Sequence, residues 1–223
     1  AVFGFGAAVP ERVGPSLGNP YDLATVGLSV KRYPCCYATH RAADAALALR
    51  EEHRVRPDRV HGVTVTVPRG GLAPLPYRRP STGLQGKFSM DYVVAAALLD
   101  GRLGLDTFTD AMVCRPEVVD LEEIVEVRED GAIPGVRNPV DGGYVEVAIR
   151  TPDGGRVACR VEEAAGSPGR PLSRRQLEEK FRECARGLDP ARVERALGML
   201  GSLEELADVR TLVRDLSPSE TAS

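Results

Sequence analysis

The sequence contains no tryptophan, and aromatic residues make up only 5% of its 223 positions. Because 43% of the residues are nevertheless hydrophobic, the chain has enough apolar side chains for a core that is mainly aliphatic. No apolar run approaches the roughly 18 residues that a membrane-spanning helix needs. The N-terminus also lacks the basic region that opens a signal peptide. We therefore expect no membrane partner.

An excess of one charge is lacking as well, since 29 basic residues stand against 32 acidic ones, for a formal net charge of -3. This balance gives no reason to expect a nucleic-acid partner. The five cysteines are an odd number without the paired spacing of a zinc site or a disulfide framework. The simplest expectation is a reducing, cytoplasmic setting without zinc.

Composition divides the chain into a linker, one domain and a tail. Residues 1–22 are rich in glycine and proline, which favours a linker or crossover over a domain core. Residues 23–216 are expected to form the domain, and residues 217–223 a mobile tail. Because the chain begins with Ala1 and not with methionine, we expect it to be the C-terminal part of a longer or processed polypeptide.

Hydrophobic patterning predicts one mixed β-sheet with helices packed against it. The clearest strand places Val63, Val65 and Val67 on one face. Strands are predicted over residues 28–33, 60–67, 124–128, 144–150 and 156–162. Helices are predicted over residues 38–52, 90–99 and 106–114, and a turn over residues 116–120. Three further helices are predicted from their start signals, which are capping boxes at Ser173/Gln176 and Ser202/Glu205 and the pair Asp189-Pro190. The order neither alternates strictly nor segregates the elements, so the predicted class is α+β.

Two short stretches concentrate the polar chemistry of the chain. The first, Lys31–His40, carries an amine, two thiols, an imidazole and phenolic side chains. The second, Gly86–Tyr92, brings another amine and another phenol. Each stretch lies where a helix is predicted to begin, and such a junction can hold side chains rigidly at the edge of a cleft. We predict that the two stretches share one site.

Each candidate in the first stretch also has an ordinary structural explanation. Lys31 is either an edge-strand lysine that discourages aggregation or a cleft amine that moves protons or pairs with a carboxylate. His40 is either a packing residue or a proton-transfer group. Cys35 and Cys36 are either small buried hydrophobes or thiols activated by a helix N-terminus and a lysine.

The second stretch and the loop before it leave the same choices open. Tyr92 is either a core aromatic with a tied hydroxyl or an acid that donates to a developing enolate. Lys87 and Arg79 are either solvated charges or clamps for substrate carboxylates. Asp91 is most simply explained as an acidic residue that favours the helix dipole.

Three runs of the sequence, in this order, resemble the MmgE/PrpD family: KRYPCCYATHRAADA from Lys31, GKFSMDYVVAAALLDG from Gly86 and GSPGRPLSRRQLEEKF from Gly166. That family includes 2-methylcitrate dehydratases, cis-aconitate decarboxylases and related isomerases. The resemblance is close from about residue 2 to the mid-160s and looser to about residue 216. The three motifs together are specific to the family but discriminate poorly among its reactions.

The resemblance implies a smaller α/β domain that works with a large N-terminal helical domain, the active site lying in the cleft between them. Residues 1–22 would then include the end of that helical domain, which is the expected partner of this chain. The implied chemistry is proton transfer next to a carboxylate of a small polycarboxylate substrate, with no metal and no organic cofactor. The implied assembly is a homodimer, and this chain alone would hold about half of the site.

The resemblance also carries over to individual residues. Lys31 matches the family's active-site lysine, Tyr92 its motif tyrosine, and His40 the histidine that opens the next helix. Cys36 stands where the decarboxylase branch has a histidine. We therefore predict a hydro-lyase of the 2-methylcitrate dehydratase type, the alternatives being an isomerase or epimerase, a cis-aconitate decarboxylase, or a non-catalytic binding or oligomerisation domain. Three residues are candidates for substrate binding: Lys87, Arg79 and Cys36.

Overall fold

The computed structural model describes residues 17–18, 20–134 and 142–217, so most of the predicted linker and of the predicted tail lies outside the described residues. The described helices are α1 (Asp22–Thr25), α2 (His40–Glu52), α3 (Gly83–Gly86), α4 (Met90–Asp100), α5 (Asp110–Val113), α6 (Pro116–Glu123), α7 (Arg174–Cys184), α8 (Pro190–Leu200) and α9 (Arg210–Leu216). The described strands are β1 (Gly62–Pro68), β2 (Val125–Asp130), β3 (Val145–Arg150) and β4 (Arg156–Val161). Among the described helices, none has the length and apolar character needed to cross a bilayer.

The four strands form one mixed sheet in the order β2-β1-β3-β4. β1 pairs in parallel with β2 and antiparallel with β3, and β3 pairs antiparallel with β4. A tight turn suffices to join β3 to β4, whereas the parallel pair needs a crossover, and this crossover carries α3 to α6. The mixed sheet and the α+β class predicted from the sequence are thereby confirmed.

Side-chain alternation decides which face of the sheet is buried. Val63 and Val65 of β1 stand directly opposite Ile149 and Val147 of β3, and directly paired residues project from the same face. All four are at most 2% exposed. α2 contacts β3 and β4 while α4 contacts β2, so these two helices cover the valine-rich face. The main core lies between that face and the helices.

α2 and α4 also pack against each other, and both helices carry several small buried side chains. Ser89 caps α4 by accepting the Tyr92 N–H on its Oγ, and Gly101 ends it in a left-handed conformation, with φ at 69°. Small residues let two helix backbones approach closely, which fixes the relative position of the helix starts. Seven alanines of the two helices are buried: Ala42, Ala43, Ala45 and Ala46 in α2, and Ala95, Ala96 and Ala97 in α4.

The predicted strand over residues 28–33 is wrong, because this segment has no strand structure. Its Val30 N–H donates to the Gly166 C=O at 2.8 Å, so the segment crosses a distant turn instead of extending the sheet. Gly166 has a φ of 93°, and a Cβ at that position would lie 2.0 Å from the Val30 oxygen. Only glycine permits this close crossing.

Three further local predictions need correction. The helix predicted over 106–114 is divided into a 3₁₀ turn at Asp106–Phe108 and α5, because Thr109 is extended and caps α5 with its hydroxyl. The turn predicted at 116–120 is the helix α6, which begins with proline in the position that proline favours. The Ser173 capping box is confirmed, whereas Ser202 makes no side-chain cap and precedes only a short 3₁₀ turn.

Candidate active site

The loop that begins at Lys31 is tied directly to the loop that precedes α4. The Cys36 N–H donates to the Lys87 C=O at 2.8 Å, which joins the two stretches. Within the first stretch, Lys31 Nζ donates to the Cys35 C=O at 3.1 Å, and Thr39 Oγ1 donates to the Cys36 C=O at 2.8 Å. The two chemistry-bearing stretches therefore lie side by side where α2 and α4 begin.

Two lysines and two cysteines belong to the loops that meet at this junction. Lys31 is exposed, while Lys87 and Cys36 are half-buried. Burial raises the pKa of Cys35 to about 12, although the nearby charges of Lys31 and Lys87 act in the opposite direction. The hypothesis of an activated thiol is therefore wrong for Cys35, which packs in the core with its Sγ 3.2 Å from Thr39 Oγ1.

His40 lies beneath this loop at the first position of α2, where it is fully buried. Its ring stacks on Tyr37 with the centroids 4.8 Å apart, and Tyr33 meets it edge-on at 5.2 Å. Burial lowers the pKa of His40 to about 4, a shift that the Asp44 carboxylate only partly opposes. The backbone of Tyr33 and Cys35 approaches the ring, yet among the described residues neither ring nitrogen has a hydrogen-bond partner. The imidazole is therefore neutral at pH 7.

Tyr92 does not face an open hollow shared with Lys31. Its side chain is fully buried in α4, and its hydroxyl donates to the Thr107 C=O. Phe108 packs edge-on against its ring, with the centroids 5.8 Å apart. Burial is also the main reason that the pKa of this phenol is raised. In this chain the hydroxyl cannot reach a substrate without a rearrangement of the core.

Arg79 belongs to a second polar group around the first turn of α4. It adopts a left-handed backbone conformation, with φ at 48°. Asp91 is 1% exposed and accepts a hydrogen bond from Arg78 Nε, so it does more than favour the helix dipole. Burial, followed by the Asp91 charge, raises the pKa of Glu122 to about 7, while Arg79 and Arg78 oppose this shift. The charge of Arg79 therefore acts on both Asp91 and Glu122.

Comparison with known proteins decides the family. A profile of the MmgE/PrpD C-terminal domain matches residues 33–204. The chain belongs to the MmgE/PrpD family. The cis-aconitate decarboxylase of Homo sapiens is 30% identical over 233 residues, covering 99% of this chain and 47% of the relative. The Mus musculus enzyme is 30% identical over 224 residues, and that of Aspergillus terreus 26% over 218 residues. These matches cover 95% and 93% of this chain, and 44% of each relative.

The chain thus spans about half the length of the curated relatives it matches. The MmgE/PrpD domain also contains buried polar residues that the sequence analysis did not single out. Asp44, Glu122 and the hydroxyl of Tyr37 are buried, and among the described residues the Tyr37 hydroxyl has no partner. The only signal for Asp44 was an acidic side chain in an alanine-rich helix, and the helix that carries Glu122 was itself missed.

Metal binding and the position of the cavity are the two remaining features of the domain. In the described ranges, no group of three or more His, Cys, Asp and Glu side chains is arranged to bind a metal ion. A surface cavity of about 490 Å³ lies near Leu99, Leu121 and Ile124. This is the C-terminal end of the 11-residue α4, roughly 15 Å from its start. The cavity is therefore distant from Lys87.

Proposed function

We propose that this MmgE/PrpD domain is the C-terminal half of a lyase that acts on small polycarboxylates by moving a proton next to a carboxylate. The observation that carries the proposal is the junction at which the Cys36–Lys87 hydrogen bond holds two lysine-bearing loops together. The neutral imidazole of His40 lies directly beneath this junction. The similarity to enzymes named as decarboxylases supports a lyase.

The proposed chemistry needs fixed positive charge and a proton acceptor. Removal of a proton next to a carboxylate leaves an enolate-like anion, which fixed cations stabilise. Lys31 and Lys87 supply this charge and bind the substrate carboxylates, with Arg79 as a further clamp. His40 accepts or returns a proton once the substrate displaces Tyr37 from its ring. The mechanism that we propose uses no metal and no organic cofactor.

Two reactions compete within this proposal. Dehydration of a 2-methylcitrate-like acid comes first, because Cys36 stands where the decarboxylase branch of the family has a histidine. Decarboxylation of cis-aconitate is the second candidate, because the relatives compared above carry that name at 26–30% identity. Isomerisation or epimerisation would begin with the same proton transfer. Tyr92 supports the site from the core in each case.

We also propose that an N-terminal helical domain covers the lysines and that the complete enzyme is a homodimer. Side chains near Lys87 support a covering partner, because Leu84 and Phe88 are 69% and 37% exposed although both are apolar. All five cysteines lie in the described part of the chain and are free thiols. Free thiols fit a reducing compartment, and we propose the cytoplasm.

The deciding experiment uses the complete polypeptide that the gene encodes, incubated with ¹³C-labelled 2-methylcitrate, citrate and cis-aconitate. We expect NMR to show loss or addition of water. Release of labelled CO₂ from cis-aconitate would instead establish the second candidate. Inversion without loss of atoms would indicate the isomerase. A folded dimer that changes none of these acids would contradict the lyase and favour a non-catalytic binding domain.

A further inference from the structure

Asp44, one turn after His40 in α2, is a buried carboxylate, and both of its oxygens accept hydrogen bonds. Its side chain is 1% exposed. Oδ1 accepts a hydrogen bond from Tyr33 Oη at 2.6 Å. Oδ2 accepts from the Ala165 N–H at 2.7 Å and from Arg170 Nη1 at 2.9 Å. Hydrogen bonds to an ionised acceptor are about twice as strong as neutral ones, so this carboxylate is a firm anchor.

The donors come from segments far apart in the chain. Tyr33 belongs to the loop that carries Lys31, whereas Ala165 and Arg170 flank a turn 121 and 126 positions after Asp44. The same turn accepts the Val30 N–H on the Gly166 C=O. The lysine-bearing loop is therefore held at both ends, by Val30 before Lys31 and by Tyr33 after it.

Tyr33 transmits this anchoring to the imidazole. Its ring edge meets His40 with the centroids 5.2 Å apart and the planes at 62°. Because its hydroxyl is fixed by Asp44, the ring cannot turn away from His40 without breaking a charge-assisted hydrogen bond. Asp44 itself cannot touch a substrate, since its carboxylate is enclosed. It acts on the site from within the core, through its hydrogen bond to Tyr33 and through its charge near His40.

We propose that Asp44 is a positioning residue that, through Tyr33, sets the orientation of His40 and of the Lys31–Cys36 loop. Its consequence for turnover rests on the proposed lyase function, but the positioning itself does not. The test therefore starts with readouts that need no substrate. Asp44→Asn and Tyr33→Phe are compared with Asp100→Asn, which removes a carboxylate paired with Arg115 at the other end of α4.

The first readout is the NMR signal of His40 Cε1–H in the complete polypeptide, assigned by its loss in a His40→Gln variant. Tyr33→Phe is the decisive variant, since it removes one hydroxyl while keeping the aromatic ring and all charges. We expect Tyr33→Phe and Asp44→Asn to move this signal, and Asp100→Asn to leave it unchanged. An unmoved signal in a folded Tyr33→Phe protein would overturn the proposal, even if Asp44→Asn fails to fold.

The second readout is alkylation of Cys35, mapped by peptide fragmentation in the mass spectrometer, because fragment ions distinguish it from the adjacent Cys36 and from the other three cysteines. Release of the loop should speed its labelling roughly tenfold, the factor expected for loss of one charge-assisted hydrogen bond. Asp100→Asn should label at the wild-type rate. Equal rates in all variants would show that Asp44 only stabilises the fold, which contradicts the proposal.

In the complete polypeptide, Tyr33→Phe should lower kcat more than it changes KM, whereas Asp100→Asn should change neither. If the NMR and labelling results are as expected but no turnover is found, the positioning role stands and the lyase function fails. If turnover is found and Tyr33→Phe leaves kcat unchanged, the positioning role has no catalytic consequence and this part of the proposal is overturned.

Discussion

Asp44 and Asp91 are both buried aspartates near the starts of the two core helices, yet their surroundings differ sharply. Asp44 accepts three hydrogen bonds, from a phenol, a backbone N–H and a guanidinium. Asp91 is bonded through Oδ2 to Arg78, and in the described part of the chain its Oδ1 has no partner. Glu122, whose pKa the Asp91 charge helps to raise, likewise has an oxygen without a described partner.

This comparison separates two uses of a buried acid. A carboxylate with several donors from distant segments fixes the geometry of the backbone and of neighbouring rings, as Asp44 does for Tyr33. A carboxylate that has, among the described residues, only one bonded oxygen, and whose charge helps to raise the pKa of a second acid, remains sensitive to pH because the protein does not compensate its charge fully. Asp44, which holds the lysine-bearing loop through Tyr33, is an acid of the first kind, and Asp91, on which the charge of Arg79 acts, is of the second.

The largest expected effect on stability is that of Asp44→Ala. It leaves the buried Tyr33 Oη and Ala165 N–H without their acceptor, at about 1–3 kcal/mol each, and should lower the free energy of unfolding by about 3–5 kcal/mol in total. Asp91→Ala should cost at most about 1 kcal/mol, since the exposed Arg78 returns to water and the repulsion with Glu122 ends. Urea unfolding at pH 7 measures both. Equal losses would remove the distinction between the two acids.

His40 gives the second expected effect. Since burial lowers its pKa from 6.5 to about 4, the unfolded chain binds more protons between those values. The contribution of the neutral His40 to the free energy of unfolding is therefore complete above pH 6.5. It is lost as the pH falls, and the free energy of unfolding decreases by up to roughly 3 kcal/mol near pH 4. His40→Gln should remove this part of the acid sensitivity in urea unfolding between pH 7 and pH 4.5. An unaltered slope would mean that His40 is not buried as described.

Much of the frame could be predicted from local pattern alone. The alternation of Val63, Val65 and Val67 indicated β1, and the reciprocal bonding of Ser173 and Gln176 fixed the start of α7. The contacts that build the site could not be predicted this way. Asp44 meets Ala165 and Arg170 only because the fold brings a turn over α2, and no spacing in the sequence encodes that distance.

The errors have the same physical origin. Residues 28–33 read as a strand, but whether an extended segment pairs with a sheet depends on which sheet edge is free. Tyr92 was correctly expected to be in the first turn of a buried helix. The helical period, however, does not indicate whether its hydroxyl points to the candidate site or to the neighbouring Thr107 carbonyl. The Cys36–Lys87 contact agrees with the expectation of one shared junction, while Tyr92 lies behind it.

Glu122 should change the pH dependence of the free energy of unfolding less than His40 does, and in the opposite direction. Its pKa is raised from 4.5 to about 7, so the folded chain binds more protons between those values. The stabilisation is present below pH 4.5 and is lost as the pH rises through 7. Relative to wild type, Glu122→Gln should gain about 1–2 kcal/mol between pH 4.5 and pH 8, less than the full shift because Arg78, Arg79 and solvent screen the charge. A flat difference across this range would contradict the raised pKa of Glu122 and the burial that causes it.

The most direct test of the account replaces the lysines of the chain, of which there are three. In the complete polypeptide, Lys31→Met should lower kcat/KM for the polycarboxylate substrate by at least roughly 100-fold. It should change the free energy of unfolding by no more than about 0.5 kcal/mol, because the side chain is exposed. Lys180→Met in α7 is the control and should retain full activity. Equal activity of the Lys31 and Lys180 variants would contradict the claim that the joined loops form the active site.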